Sequence, residues 1–98
     1  MSFADLYEED QRLVILRLLE QDTDYTLNES MLQDCMARLG HKCSRDCVRT
    51  RLAWLKEQGL VTIAEPIGFF VATLTSRGLD VAQGVATCPG VKRPRPKA

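Results

Sequence analysis

At Gly59 the spacing of apolar residues changes from a helical period to a strand period, which fixes the order of elements the chain can adopt. Before it, residues 8–21 (EEDQRLVILRLLEQ) carry Leu13, Leu16 and Leu19 on one helical stripe, widened by Ile15 and Leu18, with acids in the first turn where the helix dipole favours them. Residues 22–27 (DTDYTL) read as a polar turn. Asn28 then caps a second helix bearing Leu32, Cys35, Met36 and Leu39, which Gly40 ends. After the short connector His41 to Cys43, Ser44 caps a third helix over 44–58 with Val48, Leu52 and Leu55 as its buried stripe. Arg45, Arg49, Thr50 and Lys56 fall mostly off that stripe and are expected to face solvent. Beyond Gly59, LVTIA and FFVATL are β-branched and aromatic segments separated by EPIG, a hairpin signature. Thr75 and Ser76 can cap a short last helix through Leu79, Val81 and Ala82, ending near Gly84.

The last stretch, ATCPGVKRPRPKA, holds three of the four prolines together with Lys92, Arg93, Arg95 and Lys97. Such a segment cannot be helical and is expected to be an extended or mobile basic tail. The fold expected is thus α+β: one domain over 1–84, followed by a tail over 85–98. Its 98 residues suffice for one modest core. No apolar run approaches the roughly 20 residues of a membrane span, and the acidic start is unlike a signal peptide, so the expected setting is the cytoplasm, away from membranes.

Zero formal charge argues at first against a nucleic-acid partner. The distribution is less neutral: residues 1–34 carry nine acids against two bases, a balance of −7, and the remainder carries eleven bases against four acids, a balance of +7. If folding keeps the halves apart, one face attracts phosphates while the other repels them; if folding intermixes them, no such face results.

The block WLKEQGLVTIAEPIGFFVATLTSRGLDVA resembles the passage from recognition helix through wing in winged-helix bacterial regulators, including the arsenic-repressor type. From about residue 8 to residue 95 the chain is similar to small winged-helix proteins of Mu-like prophages. The resemblance implies a three-helix core containing a helix-turn-helix, a two-stranded β-hairpin wing and a short C-terminal helix. It also implies sequence-specific binding of double-stranded DNA as a transcriptional regulator, with the third helix in the major groove. Ser44, Arg45, Arg49 and Thr50 are then the candidate readers, Arg49 foremost because arginine pairs with guanine through two hydrogen bonds. Lys56, Lys92, Arg93 and Arg95 are candidate phosphate contacts. A lone domain reads only a short half-site, so a homodimer is expected. The turn Ala64-Glu65-Pro66-Ile67-Gly68 departs from the basic wings common in such proteins, because Glu65 repels phosphate. That departure favours an alternative: a winged-helix module that docks a protein through Ile67 and Phe69 and never touches DNA.

Cys35, His41, Cys43 and Cys47 are zinc-type ligands, yet only Cys43 and Cys47 approach the paired spacing of a structural site. Free, mostly buried thiols are therefore expected for all four cysteines, with no metal and no cofactor. His41 is expected to be solvated or capping in its turn, and Trp54 to complete the core. One histidine, no phosphate loop, no nucleophile elbow and no acidic pair within an apolar run leave no catalytic constellation, so an enzyme is not expected.

Overall fold

A computed structural model describes residues 1–96. In chain order the elements are α1 (Phe3–Gln21), β1 (Thr26–Asn28), α2 (Glu29–Arg38), α3 (Arg45–Glu57), β2 (Val61–Ala64), β3 (Val71–Leu74) and α4 (Ser76–Ala82). Helix α1 starts five residues earlier than the periodicity suggests. The cause is a capping box: the Ser2 hydroxyl accepts from the Asp5 N–H while the Asp5 carboxylate accepts from the Ser2 N–H. Asn28, Ser44 and Thr75 cap the other three helices, each accepting from the N–H three residues on. Gly59, at φ +75°, makes the left-handed turn that ends α3 and leads into β2.

The hairpin strands β2 and β3 pair antiparallel, but the sheet has a third member. β1 joins the other edge of β3, giving the order β1-β3-β2 with Thr26 opposite Thr73 and Asn28 opposite Val71. The polar turn expected over 22–27 therefore ends two residues early, at Tyr25. Asp22 builds the turn, its carboxylate accepting from the N–H groups of Asp24 and Thr26, and Tyr25 takes a left-handed φ of 57°. The Thr26 and Thr73 hydroxyls then bond across the strands at 2.9 Å.

Leu13, Ile15, Leu16 and Leu19 of α1 meet Leu32 and Met36 of α2, Val48, Leu52 and Leu55 of α3, and Ala72 and Leu74 of β3 in one core. Leu60, Val61, Val81 and Ala82 complete it. Leu39, expected on the buried stripe of α2, is exposed, since α2 ends at Arg38 before the stripe returns.

The C-terminal segment corrects the division at residue 84. Its described residues form no helix after α4, as the prolines dictate, but the segment folds back across α1 and buries Cys88 and Val91 in the same core. Arg12 Nη1 donates to the Gly90 carbonyl at 2.9 Å, and the Lys92 N–H donates to the Glu9 carbonyl at 3.2 Å. Trp54 is only half buried. The Arg12 guanidinium lies over its ring, 4.0 Å from the centroid, and Gly90 abuts the Cζ2–Cη2 edge so closely that a Cβ there would collide with it, so the indole seats the tail rather than filling the centre. That neighbourhood costs Arg12 solvation: burial lowers its pKa, a shift that nearby Glu8 opposes. Lys97 of the expected tail lies outside the described residues.

Folding also intermixes the two charged halves. Arg45 and Arg49 pair with Glu29, Arg51 with Glu8, and Lys92 with Asp10, each joining a base of the second half to an acid of the first. Opposite charges far apart in sequence find each other, and at these pairs the acidic and basic halves meet rather than stand apart. Among the described residues no helix is long and apolar enough to cross a membrane.

Candidate nucleic-acid interface

The outer face of α3 carries Asp46, Thr50, Ala53, Lys56 and Glu57 in solvent, opposite the buried Val48, Leu52 and Leu55. The hairpin flanks this face on one side: Ala53, Lys56 and Glu57 share a shallow depression of about 400 Å³ with Ile63, Glu65 and Phe70. Trp54 and the C-terminal segment flank it on the other.

At the head of this face stands a residue that the sequence reading passed over. Glu29, the first residue of α2, is fully buried. Its carboxylate accepts from Arg49 Nε at 2.9 and 3.0 Å, from the Phe70 N–H at 2.6 Å and from Arg45 Nη1 at 3.4 Å. Burial alone would raise its pKa, but the hydrogen bonds from Arg49 and Phe70, with the Arg49 charge and the Arg45 contact, outweigh it and hold the carboxyl below its ordinary value. The same bond raises the pKa of Arg49. A signal for Glu29 was present in the sequence: it lies three residues before Leu32 and seven before Met36, an acid on the buried stripe.

Arg45 and Arg49 are consequently not free solvent-facing side chains, as their helical positions had suggested. Arg49 also donates through Nη2 to the Gly68 carbonyl at 2.7 Å and lies 4.5 Å from the Phe70 ring. Arg45 donates through Nε to Gln33 at 3.0 Å, with Phe69 at 5.9 Å. Their side chains remain 39% and 36% exposed, so each guanidinium is held at its inner edge and open at its outer one. No protein acceptor is recorded for Arg45 Nη2 or Arg49 Nη1 among the described residues.

The other expected site residues divide. The Ser44 hydroxyl is occupied in capping α3, and the Thr50 hydroxyl donates to the Asp46 carbonyl one turn back. Lys56 is exposed. The tail flanks this face at Gly90, but its bases Lys92 and Arg95 turn to α1. Lys92 pairs with Asp10 on α1, Arg93 is exposed, and Arg95 lines a groove along α1 with Arg17, Glu20 and Ala82 that no α3 residue enters. Arg51, on the same helix, points back to Gln11 and Glu8 of α1.

Two further expectations change. Cys43 and Cys47 are joined in a disulfide, and only Cys35 and Cys88 are free thiols. His41 is buried, with Nε2 2.9 Å from Asp10 and its ring 5.1 Å from that of Tyr7. The early start of α1, invisible in the periodicity, is what places Tyr7 beside it.

No protein-family model matches the chain. It is 57% identical over 94 residues to the uncharacterized protein gp26 of Escherichia phage Mu, covering 96% of this chain and 97% of that one. The chain belongs to the gp26 family. A match of that extent runs through all four helices and the sheet. A second relative, an uncharacterized protein of Haemophilus influenzae, is 50% identical over 80 residues, covering 81% of this chain and 78% of that one.

Proposed function

We propose that this gp26-family chain is a winged-helix protein that binds duplex DNA through α3 as a transcriptional regulator, a binding module rather than a catalyst. The element order and the sheet order β1-β3-β2 support the fold, with α2, the connector and α3 as helix-turn-helix and β2-β3 as wing. The observation that carries the function is the Glu29 anchor. A buried carboxylate grips the inner edges of two arginines on the outer face of α3 and leaves their outer edges open. Each plane is thus fixed before DNA arrives, so less rotamer entropy is lost in forming a two-bond contact with guanine.

Arg49→Ala is a poor test, because it also strands Glu29 in the interior. Lys56→Glu and Thr50→Glu change the same face at exposed positions. In fluorescence anisotropy on a mixed pool of duplex fragments, the native chain is expected to bind and to weaken steeply with added salt, and each variant to lose roughly tenfold or more in affinity. A folded native chain that binds no duplex at low salt would overturn the reading. The exposed hairpin tip, with Ile67 81% accessible beside Glu65 and Phe69, favours the second reading, a winged helix that docks a protein partner. Under it, Ile67→Ser would abolish partner binding and Lys56→Glu would leave it intact.

Reading two half-sites calls for a homodimer, and the first turns of α1 supply the surface. Phe3, 80% accessible, and Leu6 are exposed on helix that the capping box holds in order, beside acids Asp5 and Glu9. The groove farther along α1 offers Val14 and Leu18 with Arg17 and Arg95, bases for which no acid partner is recorded among the described residues. The two patches match in apolarity, while Asp10 and Glu20 share the groove with Arg17 and Arg95, so the fit between two identical copies rests on Phe3 and Leu6 against Val14 and Leu18. Sedimentation equilibrium is expected to return a dimer for the native chain and a monomer for Phe3→Asp with Leu6→Asp; a native monomer at high concentration would rule it out.

A further inference from the structure

The head of α3 holds a second chemistry. We propose that Cys43 and Cys47 are a reversible thiol–disulfide exchange site that sets the order of the α3 N-terminus; its consequence for DNA rests on the function proposed above. The bond closes a loop of five residues, too short a span for a cross-link to restrain many conformations of the unfolded chain, in a domain that already has a continuous core. Its effect is therefore local, and the local connections are specific. The Cys43 carbonyl accepts from Gln33 Nε2 at 3.1 Å, while Gln33 Oε1 accepts from Arg45 Nε at 3.0 Å. Arg45 and Arg49 share Glu29. Cys47 is also the residue whose N–H the Ser44 cap receives. The disulfide thus restrains a connector that reaches Arg45 through Gln33, and Arg49 only through the Glu29 they share.

The reduced form is also accommodated. Cys47 Sγ lies 3.9 Å from Oε1 of Gln11, a buried side chain. As a thiol, Cys47 donates a hydrogen bond there; as a disulfide it has no proton to give. Cys47 is the less buried of the two residues, which favours it as the point of thiolate attack. A low-molecular-weight thiol of the glutathione class attacks Cys47 Sγ as its thiolate. The S–S bond breaks, and the Cys43 sulfur leaves with the electron pair and takes a proton. A second thiolate attacks the small-molecule sulfur of the mixed disulfide, and Cys47 leaves and is protonated. Two small thiols become one small disulfide while the protein gains two thiols; the reverse uses the small disulfide as oxidant.

The full chain equilibrated across glutathione redox buffers, alkylated and weighed by mass spectrometry should pass from two labels to four as the buffer becomes reducing, the constant pair being Cys35 and Cys88. Amide exchange over residues 43–47 should quicken about tenfold on reduction, and that of the α1 core should not change. Duplex affinity should fall roughly threefold to tenfold on reduction, and Cys43→Ser with Cys47→Ser should bind as the reduced form does, with no redox response. Four labels after equilibration with oxidised glutathione, or bond formation without any change in exchange over 43–47, would overturn the proposal. Redox-dependent labels and exchange with no duplex binding in either state would leave the exchange site standing and remove the DNA reading.

Discussion

Replacing Glu29 with alanine is expected to destabilise the domain by about 3 kcal/mol, a fall in Tm of roughly 10–20 °C. The substitution leaves the half-buried Phe70 N–H without its acceptor, removes charge-assisted bonds from Arg49 and Arg45, and opens a void at the head of α2. The two arginines, each more than a third exposed, recover water, which keeps the cost below that of a wholly buried pair. Glu29→Gln separates charge from shape. Because the folded-state pKa of Glu29 is depressed, its contribution is complete above the ordinary glutamate range and is lost as pH falls through the folded-state value. Urea midpoints measured from neutral pH downward should therefore fall on the acid side of that range in the native chain and fall less in Glu29→Gln. Equal slopes for the two proteins would show that the carboxylate is not held as described.

Gly78→Ala is expected to cost about as much, roughly 3 kcal/mol, for an unrelated reason. Gly78 lies in the first turn of α4, and a Cβ there would overlap the Leu60 carbonyl oxygen and sit 2.7 Å from Leu74 Cδ1. Leu60 is backbone at the start of the hairpin, and its carbonyl also accepts from the Thr75 N–H, so it cannot swing aside as a side-chain tip would. Gly68→Ala is the contrast. Gly68 has a left-handed φ of +83° but open space around it, so alanine there meets only backbone strain, about 1 kcal/mol. A urea series in which Gly78→Ala lowers the midpoint no more than Gly68→Ala would contradict the close approach of α4 to Leu60.

What could be read from the sequence was what is local. Ser44 as cap, Gly59 as stop and the Val48, Leu52, Leu55 stripe depend on residues within a turn or two of one another, and the structure matches them. β1 was hidden because three residues cannot display an alternation, and its partner β3 begins more than forty residues later. The status of Arg45 and Arg49 was hidden for a related reason. Helical position says which side of α3 they leave from, but Glu29 and Gly68, brought up from other elements, decide where the guanidinium groups go. The charge balance of the two halves carried no spatial information once Glu8, Asp10 and Glu29 had taken partners from the basic half.

The seating of the C-terminal segment on α1 also bears on how the chain is made. Glu9 and Arg12 find their backbone partners at Lys92 and Gly90, the second pair 78 residues apart in the chain. Helix α1 packs against α4 as well. A nascent chain therefore carries this face of the helix uncovered until residues 90–92 have emerged, so the seam between them closes later than the local helices form.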